Sequence, residues 1–222
     1  MWAYMRRLWR QRNPAAALGI DFSANLNVAE LVRVSGANLM LRQFAIEDGS
    51  WVAEAASSQK AGELLRDALG RNGMHAEFAV AGIGEEYSSF QLLHFPSMST
   101  KELLEAVRWE LQPFLTEDAK QYYYDAAVLE RAPSAEGMLV FAAAALKERV
   151  DWLAATASEA GIKLAVVEPE AVALARANGA QEEALLVKVE GEHSYLYFVH
   201  GGVPVSVETM GSYGEGPSSV SE

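Results

Sequence analysis

The sequence predicts an α/β protein in which a β-β-β-α-β pattern is interrupted by a smaller α+β insertion and then resumes. Three observations support this prediction. Strand-like apolar runs open the predicted fold at residues 17–25, 26–34 and 39–46. A helical pattern follows up to about residue 72, and a buried strand comes next at 77–83. Short strand and helix patterns then alternate as far as about residue 207.

Composition limits the class of protein. The chain has 222 residues, of which 50% are hydrophobic and 22% are charged, as in ordinary globular proteins. It contains no cysteine, which excludes disulfides, thiolate metal sites and thiol nucleophiles. The formal net charge is −12. Nucleic acid is therefore not expected as a partner, because phosphate binding needs clustered cations.

The two ends of the chain differ from its body. Residues 1–15 form a basic leader, with four arginines and no acidic residue in its first twelve positions, and residues 212–222 form a Gly- and Ser-rich tail that we expect to be disordered. The leader lacks the apolar core of a signal peptide, and no apolar run approaches the roughly 20 residues that span a bilayer. Aromatic and arginine side chains suit an anionic membrane surface, which residues 1–12 could contact; a solvated leader is the alternative.

Helix boundaries are marked by residues that usually cap or break helices. Ser57, or the serine after it, precedes the first helix, and Gly73 follows it. Ser99 and Glu102 have the spacing of a capping box for a second helix, which Pro113 should end.

The later elements follow from the same signals. Gly179 should close a helix that has Pro169 in its first turn. The Gly201-Gly202 pair predicts a tight hairpin between the last two strands. The other predicted segments are strands at 88–95, 122–130, 138–146, 164–167, 185–189, 195–200 and 203–207, and a helix at 147–160.

These patterns divide the chain into parts. Residues 16–87 and 162–179 form one subdomain, and residues 88–161 form a β-α-β-β-α insertion into it. Residues 180–211 repeat the opening three-strand pattern without the helices that usually cover such a layer, so we interpret them as part of a second half.

Two stretches could carry chemistry. The first apolar run ends by placing the carboxylate of Asp21 on a polar turn with Ser23 and Asn25, and an Asx-type turn is its simple alternative. Residues 167–179 contain the pair Glu168-Pro169 and continue as a helix of small residues, which suits a close helix crossing; an ordinary Ala-rich helix is the alternative.

Together with the helix Leu-Leu-Glu-Ala-Val-Arg-Trp-Glu-Leu-Gln at residues 103–112, these stretches resemble PilM, the actin-like, FtsA-like component of type IV pilus assembly. The resemblance covers roughly residues 17–211. It implies an actin-like ATPase fold, related to ribonuclease H, with a truncated second half. Residues 16–87 and 162–179 would be subdomain 1A, residues 88–161 subdomain 1C, and residues 180–211 part of subdomain 2A.

The resemblance also implies a nucleotide site, because the PilM family binds ATP between its two halves. It assigns the cofactor-binding positions to the residues Asp21, Ser23, Asn25, Glu168 and Gly191. Lys188 stands where the family has an Asp, and nearby Glu190 would repel a triphosphate. We therefore expect a degenerate ATP site with no cofactor, no metal and no ATPase activity.

The family further binds a short N-terminal cytoplasmic peptide of the membrane protein PilN, in a groove between subdomains 1A and 1C. Trp109, Tyr122 and Tyr124 are the candidate groove residues, because aromatic side chains are favoured at interfaces; burial in the core is their alternative role. We expect a scaffold that lies at the cytoplasmic face of the inner membrane and contacts a PilN-like protein and other pilus assembly components.

Two other functions fit the pattern. The chain could be an ATP-binding switch protein of pilus assembly, which would use Asp21 and Glu168. It could also be a GspL-like cytoplasmic domain of type II secretion, which shares the architecture but continues into a membrane span.

Overall fold

The structure is a computed structural model that describes residues 16–23, 25–35, 38–47, 57–131, 137–179, 183–190 and 193–210. The predicted leader and tail lie outside the described residues. The chain divides into two compact units, Met1–Glu170 and Ala171–Glu222. The predicted subdomain boundary lies after residue 179, whereas this division falls after Glu170.

The described elements match the predicted order. They are β1 (Ala16–Phe22), β2 (Leu26–Ser35), β3 (Asn38–Glu47), α1 (Ser58–Asn72), β4 (Phe78–Ile83), β5 (Ser88–Phe95), α2 (Thr100–Leu111), β6 (Tyr122–Arg131), β7 (Met138–Leu146), α3 (Lys147–Glu159), β8 (Lys163–Pro169), α4 (Glu170–Ala177), β9 (Glu183–Glu190), β10 (His193–His200) and β11 (Val203–Met210).

A five-stranded mixed sheet forms the centre of the first unit, in the order β3-β2-β1-β4-β8. β1, β4 and β8 run parallel, and β2 and β3 continue from β1 as antiparallel neighbours. Pro169 is the last residue of β8 and not a residue of the first helical turn, because α4 begins at Glu170. Because β1, β4 and β8 run parallel, their carboxyl ends lie at the same edge of the sheet.

One face of this sheet is covered by α1 and α3, which share a single apolar core with β1, β2 and β4. α1 begins at Ser57, whose hydroxyl accepts a hydrogen bond from the Lys60 N–H, and ends at Gly73 with a left-handed φ of 61°. Both predicted caps are confirmed, and they fix the length of the helix that lies on the sheet.

The two helices approach each other closely at Gly62. A Cβ atom placed on Gly62 would lie 2.3 Å from the Cβ of Glu159 and 2.7 Å from the carbonyl oxygen of Thr156, both at the C-terminal end of α3. Such distances are too short for any side chain, so glycine is required here for the helices to pack.

The inward-facing positions of β2 include a buried carboxylate. Leu26, Val28 and Glu30 point into the core side of the sheet, and Glu30 is 1% exposed. Its carboxylate accepts a hydrogen bond of 2.8 Å from the Gln43 amide and lies 3.5 Å from the Arg42 guanidinium. These β3 partners offset the cost of removing the carboxylate from water.

The insertion is a separate layer with its own core. β5, β7 and β6 form an antiparallel sheet in the order β5-β7-β6, and the apolar face of α2 packs on it through Leu103, Val107 and Leu111. The capping box between Ser99 and Glu102 is present. α2 ends at Leu111, before a short 3₁₀ turn that contains Pro113.

The predicted boundary of the insertion at residue 161 requires a correction. α3 was assigned to the insertion, but its Leu153 and Trp152 pack in the core beneath the five-stranded sheet. The reason is tertiary: the apolar face of α3 meets α1, which is distant in sequence. By packing, the insertion (residues 88–146) ends at the last residue of β7.

The second unit contains a three-stranded antiparallel sheet in the order β11-β10-β9. Gly201 and Gly202 join β10 to β11 with φ values of 57° and 73°, as the predicted tight hairpin requires. One face of β9 presents the exposed side chains of Leu185, Val187 and Val189.

Gly62 provides a direct test of the helix packing. We expect Gly62→Ala to lower the free energy of unfolding by about 2 kcal/mol, because the added methyl group overpacks the crossing. Urea denaturation followed by circular dichroism would measure the change.

Gly70→Ala is the matched control, because Gly70 lies on the same helix and a Cβ there meets nothing within 4 Å. It should raise the free energy of unfolding by about 0.5–1 kcal/mol through helix propensity. Equal effects of the two substitutions would contradict the close crossing.

Candidate functional site

The carboxyl edge of the parallel strands brings the predicted nucleotide residues of the first unit into one region. In open α/β sheets this edge is where ligands bind. Asp21 is the last residue but one of β1, and Glu168 near the end of β8 pairs with Gly82 of β4. Asp21 and Glu168 thus lie at the same edge, on strands separated by β4.

The carboxylate of Asp21 accepts hydrogen bonds from nearby residues of the chain. Its Oδ1 accepts a hydrogen bond of 2.9 Å from the Ser23 backbone N–H, and its Oδ2 accepts bonds of 2.9 Å from the Ser23 hydroxyl and the Asn27 amide. Asn25 lies in the turn itself. Both carboxylate oxygens therefore fix the β1–β2 turn, which is described at residues 22, 23, 25 and 26, as an Asx-type turn does.

Glu168 and Glu170 are buried carboxylates at the end of β8, with 2% and 8% exposure. The side chain of Glu170 lies against β4, where its Cγ is 3.0 Å from the position that a Cβ of Gly82 would take. The absence of a side chain at Gly82 thus makes room for Glu170. Within the described ranges, no group of three or more His, Cys, Asp or Glu residues could hold a metal ion.

The predicted residues of the second unit are Lys188 and Gly191. Gly191 lies outside the described residues. The Lys188 ammonium forms an ion pair with the carboxylate of Glu190 on the same strand and lies 5.6 Å from the ring centre of Tyr195. The charge of Lys188 is therefore balanced within β9.

Two of the candidate groove residues belong to the structure of the insertion. Tyr122 is 5% exposed, and its hydroxyl contacts the Thr116 hydroxyl and the Glu117 N–H at 3.1 and 3.3 Å. Tyr124 is half-buried and donates a hydrogen bond of 2.8 Å to the Ala119 carbonyl. Burial raises the pKa of Tyr124, partly opposed by the nearby Arg108 guanidinium. Tyr122 acts as a core residue, and Tyr124 presents only part of its ring.

Trp109 is placed differently. It lies on the face of α2 opposite the buried Leu103 and Val107, and it is 73% exposed. Phe114 in the following turn is 51% exposed. An exposed indole and phenyl ring on one helix end are a feature of binding surfaces.

The start of α2 is fixed by the Ser99–Glu102 capping box, which anchors the helix that carries Trp109. Hydrogen bonding to the side chain of Ser99, and to a smaller extent to its backbone, holds the pKa of Glu102 below its ordinary value. The Ser99 N–H lies 2.8 Å from the Glu102 carboxylate. Trp109 therefore stands on a helix whose first turn is locally fixed.

Arg149, in the first turn of α3, is a residue that the sequence reasoning missed. Its Nη2 donates a hydrogen bond of 2.9 Å to the Phe22 carbonyl, and its guanidinium carbon lies 4.5 Å from the ring centre of Trp152 and 4.8 Å from that of Tyr87. The Arg149–Trp152 spacing on a predicted helix was a usable signal, because residues three apart share a helix face.

The arrangement described above is that of the actin-like ATPase fold. Its features are a sheet of three parallel strands extended by an antiparallel meander, two helices on one face, and a small α+β insertion after β4. The predicted fold class is confirmed.

Solved structures show the same fold. One is a chain of the PilM–PilN type IV pilus biogenesis complex, with a TM-score of 0.72, 22% identity, and coverage of 88% of this chain and 61% of that one. Another is the cytoplasmic domain of EpsL, an inner-membrane component of the type II secretion system of Vibrio cholerae, with a TM-score of 0.57, 10% identity, and coverage of 88% and 71%. The predicted resemblance to PilM is thus confirmed at the level of the fold.

This chain therefore spans about three fifths of the length of the PilM–PilN complex chain that it matches. No protein-family model and no curated protein sequence matches it. Among the described helices, none is long and apolar enough to cross a membrane.

The role of Asp21 in its turn can be tested without any ligand. Asp21→Ala removes three hydrogen-bond acceptor contacts, each worth about 1 kcal/mol when buried and less when partly solvated. We expect a loss of about 1–2 kcal/mol of unfolding free energy, measured by urea denaturation. Asp67→Ala, an exposed acid on α1, should change it by less than about 0.5 kcal/mol. A neutral effect of Asp21→Ala would show that the turn does not depend on this carboxylate.

Proposed function

We propose that this chain is a PilM-like scaffold of type IV pilus assembly, which binds the N-terminal cytoplasmic peptide of a PilN-like inner-membrane protein and does not hydrolyse ATP. One observation carries the proposal. The insertion is a complete module with its own core on a fold shared with a chain of the PilM–PilN complex, and it presents Trp109 to solvent.

The geometry of the insertion supports a binding role. Tyr122, Val107 and Leu111 are buried in its core, which is formed by side chains of the insertion itself. Trp109 and Phe114 contribute nothing to that core and remain exposed. Large aromatic rings exposed to water favour association, and such rings often form the contact with a binding partner.

The state of the candidate nucleotide residues supports a role without catalysis. A magnesium-binding carboxylate must turn its oxygens toward the metal's water shell, whereas both oxygens of Asp21 accept bonds from Ser23 and Asn27. By the resemblance to PilM, Lys188 stands where that family has an Asp. We therefore propose a degenerate site without resident ATP or magnesium.

The proposed place in the cell follows from the proposed partner. A peptide on the cytoplasmic side of a bitopic inner-membrane protein would hold the scaffold at that surface. The four arginines within residues 1–12 would add attraction to anionic lipid headgroups.

Peptide binding is the direct test. A fluorescein-labelled synthetic peptide of the N-terminal cytoplasmic segment of the PilN-like protein from the same organism should bind with saturable anisotropy. Trp109→Ala should weaken binding by about tenfold, because tryptophans that become buried against a binding partner are frequent hot spots. Phe44→Ala is the matched control: Phe44 is an exposed aromatic residue on β3, outside the insertion, and its loss should leave the affinity unchanged.

Absence of binding at high micromolar peptide would reject the scaffold function. Binding that is insensitive to Trp109→Ala would keep the scaffold and reject this residue as part of the contact. Binding of the corresponding segment of a type II secretion partner instead would favour the GspL-like alternative.

Nucleotide binding separates the scaffold from the ATP-binding switch. A nucleotide present at about 100 times its Kd stabilises a protein by about 2.7 kcal/mol, which raises the Tm by several degrees. We expect millimolar ATP with magnesium to shift the Tm by less than about 1 °C relative to magnesium chloride alone. A shift of several degrees would support the switch and contradict the degenerate site.

A further inference from the structure

The insertion is connected to the rest of the first unit by two adjacent segments, here called the hinge (residues 84–88 and 146–149). The first is a tight turn, in which the Tyr87 N–H donates to the Gly84 carbonyl at 3.1 Å and the Ser88 hydroxyl donates to the same carbonyl at 2.9 Å. The second passes from β7 into α3 without a linker. The Leu146 N–H donates to the Tyr87 carbonyl at 2.8 Å, which ties the two connections together.

Arg149 lies where the hinge meets the carboxyl edge of the five-stranded sheet. Its guanidinium lies over the ring of Tyr87, which belongs to the hinge, and over the ring of Trp152, which belongs to α3. The same guanidinium donates to the carbonyl of Phe22, the residue that follows Asp21. Phe22 and Trp152 also contact each other edge to face, with ring centres 5.4 Å apart.

We propose that Arg149 is a positioning residue that joins the hinge to the β1–β2 turn, so that a partner bound to the insertion changes the position of Asp21. The joint has three parts: the Tyr87 ring and the Trp152 ring, which both contact the guanidinium, and the hydrogen bond to the Phe22 carbonyl. A movement of Tyr87 with the insertion acts on the guanidinium, and the guanidinium acts on the turn through one backbone oxygen.

The chemistry of arginine suits this joint. The guanidinium is planar, so it can stack on an aromatic ring and still donate an N–H in its own plane to a carbonyl. A lysine ammonium is a point charge that can reach the carbonyl but offers no flat surface to the rings. The two functions of Arg149 are therefore separable by substitution.

Hydrogen exchange followed by mass spectrometry tests the joint without any ligand. In Arg149→Met, amide exchange should accelerate about fivefold or more at both the β1–β2 turn and residues 84–88, while the α1 and β4 segments stay unchanged. Arg149→Lys should slow exchange at the turn toward the wild-type rate but leave residues 84–88 fast.

Lys147→Met is the matched control. Lys147 is in the same helical turn, donates to the Lys120 carbonyl at 2.7 Å and lies 5.4 Å from the Tyr123 ring. Both of these contacts are with residues of the insertion. Exchange at the β1–β2 turn should not respond to it.

Three results with Arg149→Met overturn the proposal: no change in exchange, acceleration in only one of the two segments, or acceleration across all segments in proportion to a lower overall stability. Full recovery of both segments by Arg149→Lys also overturns it, because charge alone would then suffice.

The part of the proposal in which a bound partner affects the β1–β2 turn rests on the proposed function. With the PilN-like peptide bound, exchange at the β1–β2 turn should slow at least about twofold in the wild type and remain unchanged in Arg149→Met. Anisotropy measured on the same samples reports binding separately. Absence of binding rejects the proposed function and leaves the ligand-free result to decide the joint, whereas binding without a change at the turn overturns the coupling.

Discussion

The close crossing of α1 and α3 at Gly62 is the contact on which the first unit depends. α1 comes before the insertion in the chain and α3 comes after it, so their contact closes a loop that contains the whole insertion. β8 follows α3 directly in the chain and completes the sheet beside β4, so the position of α3 also determines where β8 begins. The contact between α1 and α3 therefore helps to position both β8 and the second connection of the insertion.

The carboxyl edge of the sheet carries acidic side chains whose described contacts are with the protein. The acidic side chains at this edge are engaged with the protein itself: Asp21 holds its own turn, and Glu170 packs against Gly82. Carboxylates used in this way stabilise backbone geometry. The shared fold does not by itself define the chemistry at this edge, because function depends on the site and not on the fold.

The sequence predicts the elements well and their partners less well. Caps such as Ser57 and Gly73 are local signals, because each is satisfied within a few residues, and both were confirmed. The placement of α3 could not be predicted, since an amphipathic helix does not reveal which distant face it meets. Glu30 also escaped prediction: its burial depends on Gln43 and Arg42 of the next strand. The candidate site shows the same limit, because Tyr122 and Trp109 have equal aromatic character in the sequence and opposite burial in the structure.

The separate cores of the sheet and the insertion have a consequence for the history of such proteins. All residues in the core of the insertion come from the insertion itself, and those in the main core come from outside it. Because its two connections lie side by side, the module could be exchanged for another of the same footprint while the sheet kept its packing. Partner choice and structural integrity would then be inherited through different segments of one chain, and each could diverge at its own rate.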